Sequence, residues 1–196
     1  MPPTDEDPAA AVPADPLEPL MAAIRRGSES ALARLMDLCW PELVRYAARQ
    51  LGEVEPARDL AQEAFIQIWE RRRAWKPRGS ARAYLYRIVR NLVIDEKRKL
   101  AVRRRWVAHH ELSPPAHPST PADELDAAIL GEVFETAVAS LPDRRREVFE
   151  LVFMRGLSHG EAAGVMGISA QTVANQMSSA LRAVRKAVAD AGVMDG

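Results

Sequence analysis

Between Arg71 and Arg105 the chain carries fourteen Lys and Arg against two acids, in a protein whose 27 basic and 27 acidic residues otherwise cancel. Trp75, Tyr84, Tyr86 and Trp106 are interleaved with these cations. Cationic side chains hold phosphate and flat rings stack on unpaired bases, so the combination has the chemistry to bind single-stranded nucleic acid. The plainer reading, a solvated basic face with Trp75 or Tyr84 in the core, stands beside it. A second set is acidic: Asp59, Glu63 and Glu70, with Gln62 and Gln67. Asp59 and Glu63 lie one helical turn apart and repel by roughly a few tenths of a kcal/mol, so helix stability does not account for them. A basic partner surface would; the alternative is a polar outer face over a core of Phe65 and Ile68. A third set is Gln171, Thr172 and Asn175, able to reach base edges, followed by Arg182, Arg185 and Lys186, able to hold phosphate.

The elements that must position these residues are all helical. Apolar residues recur at helical spacing and strand alternation is absent, which predicts an all-α chain with short connections. Helices are expected over 18–26, ending near Gly27, and from beyond Ser28 towards Leu51, where Pro41 should kink or divide the second. A third is expected over 56–73. The fourth runs from Ser80 into the basic tail near Arg105, with Ala81, Leu85, Ile88 and Leu92 as its inner stripe. A fifth covers 125–140, and Pro142 suits the first turn of a sixth carrying Val148, Leu151 and Val152. Ser158 and Glu161 form a capping box for the seventh. Gly167 can stop that helix in a left-handed conformation, and Ser169 caps an eighth reaching about Val188. Helix, glycine turn and capped helix is the pattern of a helix-turn-helix, although an ordinary helical hairpin shares it.

The Pro-rich run LSPPAHPSTPA (Leu112–Ala122) divides the chain. The expected organisation is a tail over 1–16, a first domain over 17–107, a flexible linker over 108–122, a second domain over 123–190 and a short tail over 191–196. The start lacks the features of a signal peptide and no stretch is apolar enough to span a membrane, so a soluble, cytoplasmic protein is expected. Cys39 is the single cysteine, which excludes an internal disulfide and a zinc site of paired thiolates. Adjacent His109 and His110 diverge on a helix, while His117 and His159 lie far apart in sequence, so no metal or other cofactor is expected. Phosphate loops and nucleophile elbows are missing, which speaks against an enzyme.

Two blocks resemble the extracytoplasmic-function sigma factors, the small two-domain group of bacterial RNA polymerase sigma factors. DLAQEAFIQIWERR (Asp59–Arg72) and AYLYRIVRNLVIDEKRK (Ala83–Lys99) together are similar to that family's region 2. LPDRRREVFELVFMRGLSHGEAAGVMGISAQTVANQMSSALRAVRK (Leu141–Lys186) is similar to its region 4. Their order and the tether between them match too, so the resemblance extends over nearly all of 17–188. It implies a non-enzymatic specificity subunit that binds core RNA polymerase, recognises promoter DNA as duplex and as melted single strand, and helps open it. By the same resemblance Asp59, Gln62, Glu63, Phe65 and Trp69 would dock on the clamp helices of the largest subunit. Lys76, Arg78, Ser80, Arg87, Arg90, Asn91 and Arg98 would take the minus-10 element, a flipped base entering near the loop 76–80, with Asn91 the foremost candidate for a promoter contact. Ser169, Gln171, Thr172, Asn175, Gln176, Arg182, Arg185 and Lys186 would serve the minus-35 element. The sixth helix would meet the flap of the second-largest subunit, the tether would lie in the RNA-exit path, and an anti-sigma factor is the usual further partner.

There is one departure. Where the family usually carries Lys or Arg in mid recognition helix, Thr172 and Val173 are followed by Ala174, Asn175 and Gln176, implying less phosphate anchoring there. Two other classes explain less of the chain. A sigma mimic that titrates an anti-sigma factor would not need the basic surface beyond Arg71. A helix-turn-helix regulator of duplex DNA leaves the basic, aromatic first domain unexplained.

Overall fold

The computed structural model describes residues 15–75, 80–107 and 125–191, with side chains at 15–75, 80–103 and 131–191. The tail 1–14, the loop 76–79 with Lys76 and Arg78, the tether 108–124, the end 192–196 and the side chain of Trp106 lie outside the described residues. Eight α-helices occur among them, and no strand.

Four helices build the first half: α1 (Glu18–Arg25), α2 (Glu29–Leu51), α3 (Val54–Glu70) and α4 (Ala81–Val107). A 3-10 turn (Arg72–Ala74) follows α3. The Ser28 hydroxyl accepts from the Ala31 amide at 3.2 Å and so starts α2. Pro41 does not divide that helix, which is continuous from Glu29 to Leu51. Both Pro41 and Asp37, whose carbonyl has no amide to accept from at position 41, are exposed residues. Gly52, at φ 83°, ends α2 in a conformation that side chains disfavour, and α3 packs back along it. At α4 the Ser80 hydroxyl accepts from the Ala83 amide at 3.1 Å. The inner face of α4 is wider than its four-residue stripe, because Tyr86, Val89 and Val93 are buried beside Ala81, Leu85 and Ile88. Tyr86 meets Tyr46 of α2 edge to face at 5.3 Å. Cys39 is in this core, where burial pushes its thiol up to about 11 and keeps it neutral.

The second half comprises α5 (Leu125–Ala139), α6 (Asp143–Phe149), α7 (His159–Met166) and α8 (Ala170–Asp190). Pro142 stands just before α6 as its cap, not inside its first turn. One turn of π-helix (Glu150–Met154) continues α6. Ser158 and Glu161 satisfy each other's backbone amides at the start of α7, Gly167 at φ 67° ends it, and Ser169 caps α8. Val173, Met177, Ala180 and Val184 form the buried stripe of α8, which α5, α6 and α7 cover. The halves meet where α7 lies against α4. Among the described residues no helix is long and apolar enough to cross a membrane.

Candidate nucleic-acid interface

The outer surface of α4 divides into free and engaged cations. Arg87 is exposed, its guanidinium 5.6 Å from the centre of the half-buried Tyr84 ring, so a cation and an aromatic face stand side by side. Asn91 is exposed one turn further on, and Arg98 is exposed with Asp95 at 3.1 Å. Arg82 is used within the first half, where it pairs with Glu42 at 3.1 Å. Arg90 is engaged elsewhere: its Nε donates to Glu147 of α6 at 2.7 Å. Trp75 and Tyr86 are core residues, which leaves Tyr84 as the accessible ring among the three aromatics described here.

On α3 the rotation of the helix separates residues that are neighbours in sequence. Asp59, Gln62, Ile66 and Glu70 are exposed at spacings of three and four, and Glu63 is half-buried beside them, accepting from Gln67 at 3.0 Å. Phe65 does not share this face. It is 2% exposed and stacked on Trp40 at 6.2 Å, so its expected contact with a partner is corrected to a core role. Ile66, 45% exposed, is the apolar residue on the outer face, and sequence reasoning overlooked it although its spacing from Asp59, Gln62 and Glu63 gives it away. Trp69 is half-buried under the Arg72 guanidinium at 4.3 Å.

On α8, Gln171, Asn175, Arg182 and Arg185 are exposed at helical spacing, and Gln171 donates to Asn175 at 3.0 Å. Ser169 and Thr172 are exposed, but their hydroxyls lie 2.8 Å apart and serve the cap. Gln176 is half-buried and accepts from Arg145 at 3.5 Å, off the exposed line. Lys186 is exposed and pairs with Asp190 at 2.7 Å.

A polar seam joins the halves. One oxygen of Glu147 receives both Arg90 and the Tyr46 hydroxyl, the latter at 2.9 Å. Arg49 pairs with Glu135 at 2.8 Å and stands 4.0 Å from Glu150. Gln50 and Arg155 also approach Glu150, each at 3.4 Å. Glu150 is 1% exposed; burial pushes its carboxyl up to about 7 against the pull of Arg155 and Arg49. Burial, together with the charge of Glu147, also holds the Tyr46 hydroxyl far above the usual tyrosine range. Arg155 Nε is buried without an acceptor, a cost of roughly 1–3 kcal/mol for a group of this kind. On α7 burial raises the Glu161 carboxyl, and the nearby Ser80 together with the bonds from the Ser158 amide and hydroxyl, each 2.8 Å, outweighs that and brings it below its usual range. Among the described residues no group of three or more His, Cys, Asp or Glu is placed to hold a metal ion.

Residues 35–103 match the family described as Sigma-70 region 2, and residues 131–184 match Sigma-70, region 4. The ECF RNA polymerase sigma factor SigL of Mycobacterium tuberculosis is 33% identical over 172 residues, covering 85% of this chain and 96% of SigL. The chain belongs to the ECF sigma factors. SigW of Bacillus subtilis, another, is 27% identical over 85% of this chain and 94% of its own length. Among solved structures, CnrH in complex with the cytosolic domain of CnrY is similar to this sigma factor with a TM-score of 0.61 and 26% identity, over 88% of this chain and 96% of CnrH. The sigma factor RpoE in complex with the anti-sigma factor NepR, from Bartonella quintana, shares the fold at a TM-score of 0.66 and 21% identity, over 84% of this chain and 98% of RpoE. The function is that of an RNA polymerase sigma factor: DNA binding and transcription initiation.

Proposed function

We propose that three helix faces divide the work of this sigma factor. The α3 face, with Asp59, Gln62, Glu63 and Ile66, docks on the clamp helices of the largest polymerase subunit. The α4 face, with Arg87, Arg90, Asn91 and Arg98 and with Lys76 and Arg78 from the loop before it, holds the melted minus-10 strand. The α8 face, with Gln171, Asn175, Arg182, Arg185 and Lys186, reads the duplex minus-35 element, and α6 meets the flap of the second-largest subunit. The two domains span 17–107 and 123–190 and work in the cytoplasm, with the linker 108–122 between them. The observation that carries this reading is the sorting of exposed side chains: acid, amide and Ile on α3, cation and amide on α4, amide then cation along α8. Acid suits a basic protein surface, cation beside an aromatic suits a single strand, and amide before cation suits base edges flanked by phosphate. An anti-sigma factor is the further partner in this reading, and CnrH, held by the cytosolic domain of CnrY, supports a protein partner for this chain.

The test is reconstitution with core polymerase followed by mapping of transcript starts after overexpression. Starts sharing two spaced upstream elements are expected. Binding of an anti-sigma factor without core or promoter binding would instead make the chain a sigma mimic.

A further inference from the structure

We propose that Arg145 of α6 belongs to the duplex-DNA interface, where it holds a phosphate on the flank of α8 opposite Arg185. It would supply a cation that the first half of α8 does not carry. This rests on the minus-35 reading of α8, as the helix that enters the major groove. From Ala170 to Leu181 that helix has no Lys or Arg; its cations, Arg182, Arg185 and Lys186, all come later. Phosphate contacts fix the register in which a helix meets base edges. With its own side chains alone, α8 would be anchored at one end.

The neighbouring helix makes up the deficit. Arg145 reaches across the packed pair of α6 and α8, its Nε 3.5 Å from the Gln176 side-chain oxygen. At about 3.6 residues per turn, Gln176 stands on one side of the exposed line of Gln171, Asn175 and Arg182, and Arg185 stands on the other. Val173, Met177, Ala180 and Val184 fill the face behind. Guanidinium groups at Gln176 and at Arg185 thus flank the exposed line, as two phosphate backbones flank a major groove about 12 Å wide. The chemistry of Arg145 also leaves it available. Arg146, the next residue, is a structural arginine, paired with Asp143 and donating to the Ala139 carbonyl at 2.6 Å. Arg145, by contrast, meets a neutral amide at long range and no carboxylate among the described residues, so most of its five donors are uncommitted. It is half-buried, held against α8 by its stem, while Arg144 beside it is exposed. A guanidinium with spare donors, fixed at the edge of a reading helix, suits a phosphate.

The test uses holoenzyme reconstituted from core polymerase and the full chain, with a fluorescein-labelled promoter duplex recovered by the transcript mapping and titrated over a range of salt. Arg145→Ala is expected to bind roughly tenfold more weakly and to lower the salt slope by about 0.9, the share of one phosphate on B-DNA. Arg145→Lys keeps the charge and should keep the slope. Ethylation interference then locates the contact: the phosphate that ceases to matter in Arg145→Ala should lie on the strand opposite the one lost in Arg185→Ala. An unchanged slope in Arg145→Ala would overturn the proposal, as would both losses on one strand or a slope that Arg145→Lys fails to keep. If circular dichroism shows that Arg145→Ala has lost helix, Arg145→Gln, which retains a stem against α8, takes its place with the same expected and overturning results. Arg185→Ala separates this inference from the reading beneath it. A lowered slope there with none in Arg145→Ala defeats the role of Arg145 alone, whereas no change in either variant defeats the minus-35 role of α8 as well.

Discussion

The outer faces of α3 and α4 are both polar sides of amphipathic helices on one core, yet one stands open and the other is partly covered. On α3, Asp59, Gln62 and Ile66 meet solvent. On α4, Arg90 is tied to Glu147 of the second domain. Carboxylates of the second domain answer the basic face, whereas nothing among the described residues answers the acidic one. An unanswered face with an apolar residue at its centre is how a protein-docking surface is built. A basic face answered by removable carboxylates suits a ligand that must sometimes be refused.

The sharpest break in this comparison lies between two adjacent residues. Phe65→Ala should cost about 3–5 kcal/mol of stability by thermal or urea unfolding, because it empties the stack against Trp40. Ile66→Asp should leave the melting temperature nearly unchanged and weaken core polymerase binding about thirtyfold, near 2 kcal/mol, with strand binding untouched. A loss of stability by Ile66→Asp equal to that of Phe65→Ala would erase the distinction between inner and outer face.

Acidity probes the other side. With the domains packed together burial pushes the Glu150 carboxyl up to about 7, above the 4.5 of such a carboxyl in water. Between those values the closed form binds more protons, so closure is favoured at low pH, weakens as pH rises towards about 7, and is level above it. The groups facing Glu150 do not reverse this. Arg49 and Arg155 face it, while Tyr46 and Tyr86 are held neutral by burial far above this range. Oligo-dT affinity of the full chain should therefore rise from pH 5 to 7, by up to about tenfold per unit, and Glu150→Gln should flatten the rise. The smallest effect belongs to the uncovered cations. Arg87→Ala with Arg98→Ala should lower the salt slope of strand binding by roughly 1.4, about 0.7 for each phosphate no longer neutralised, and leave core binding intact.

What could be read in the chain follows the range of the interactions. The capping box at Ser158 and Glu161, the left-handed Gly167 and the cap at Ser169 are satisfied within a few residues, so their side chains announce them. The same locality made the starts of α2 and α4 legible at Ser28 and Ser80. Phe65 and Ile66 were not sorted, because the apolar run around them leaves the rotational phase of α3 undetermined until it packs against α2. Arg90 looked like any other arginine of the basic run. Its partner lies 57 residues away, across a seam that no local pattern encodes. The π turn after α6 was equally silent, since Glu150–Met154 has the composition of an ordinary buried helix.

Pro41 leaves a mark of another kind. By withholding an amide inside α2 it denies the carbonyl of the exposed Asp37 its helical partner. Any inhibitor or polymerase element that dries this patch must bring its own donor to that oxygen or forfeit a hydrogen bond. The middle of α2 thus carries a built-in vacancy notice, addressed to partners with a hydrogen-bond donor to offer and closed to greasy ones.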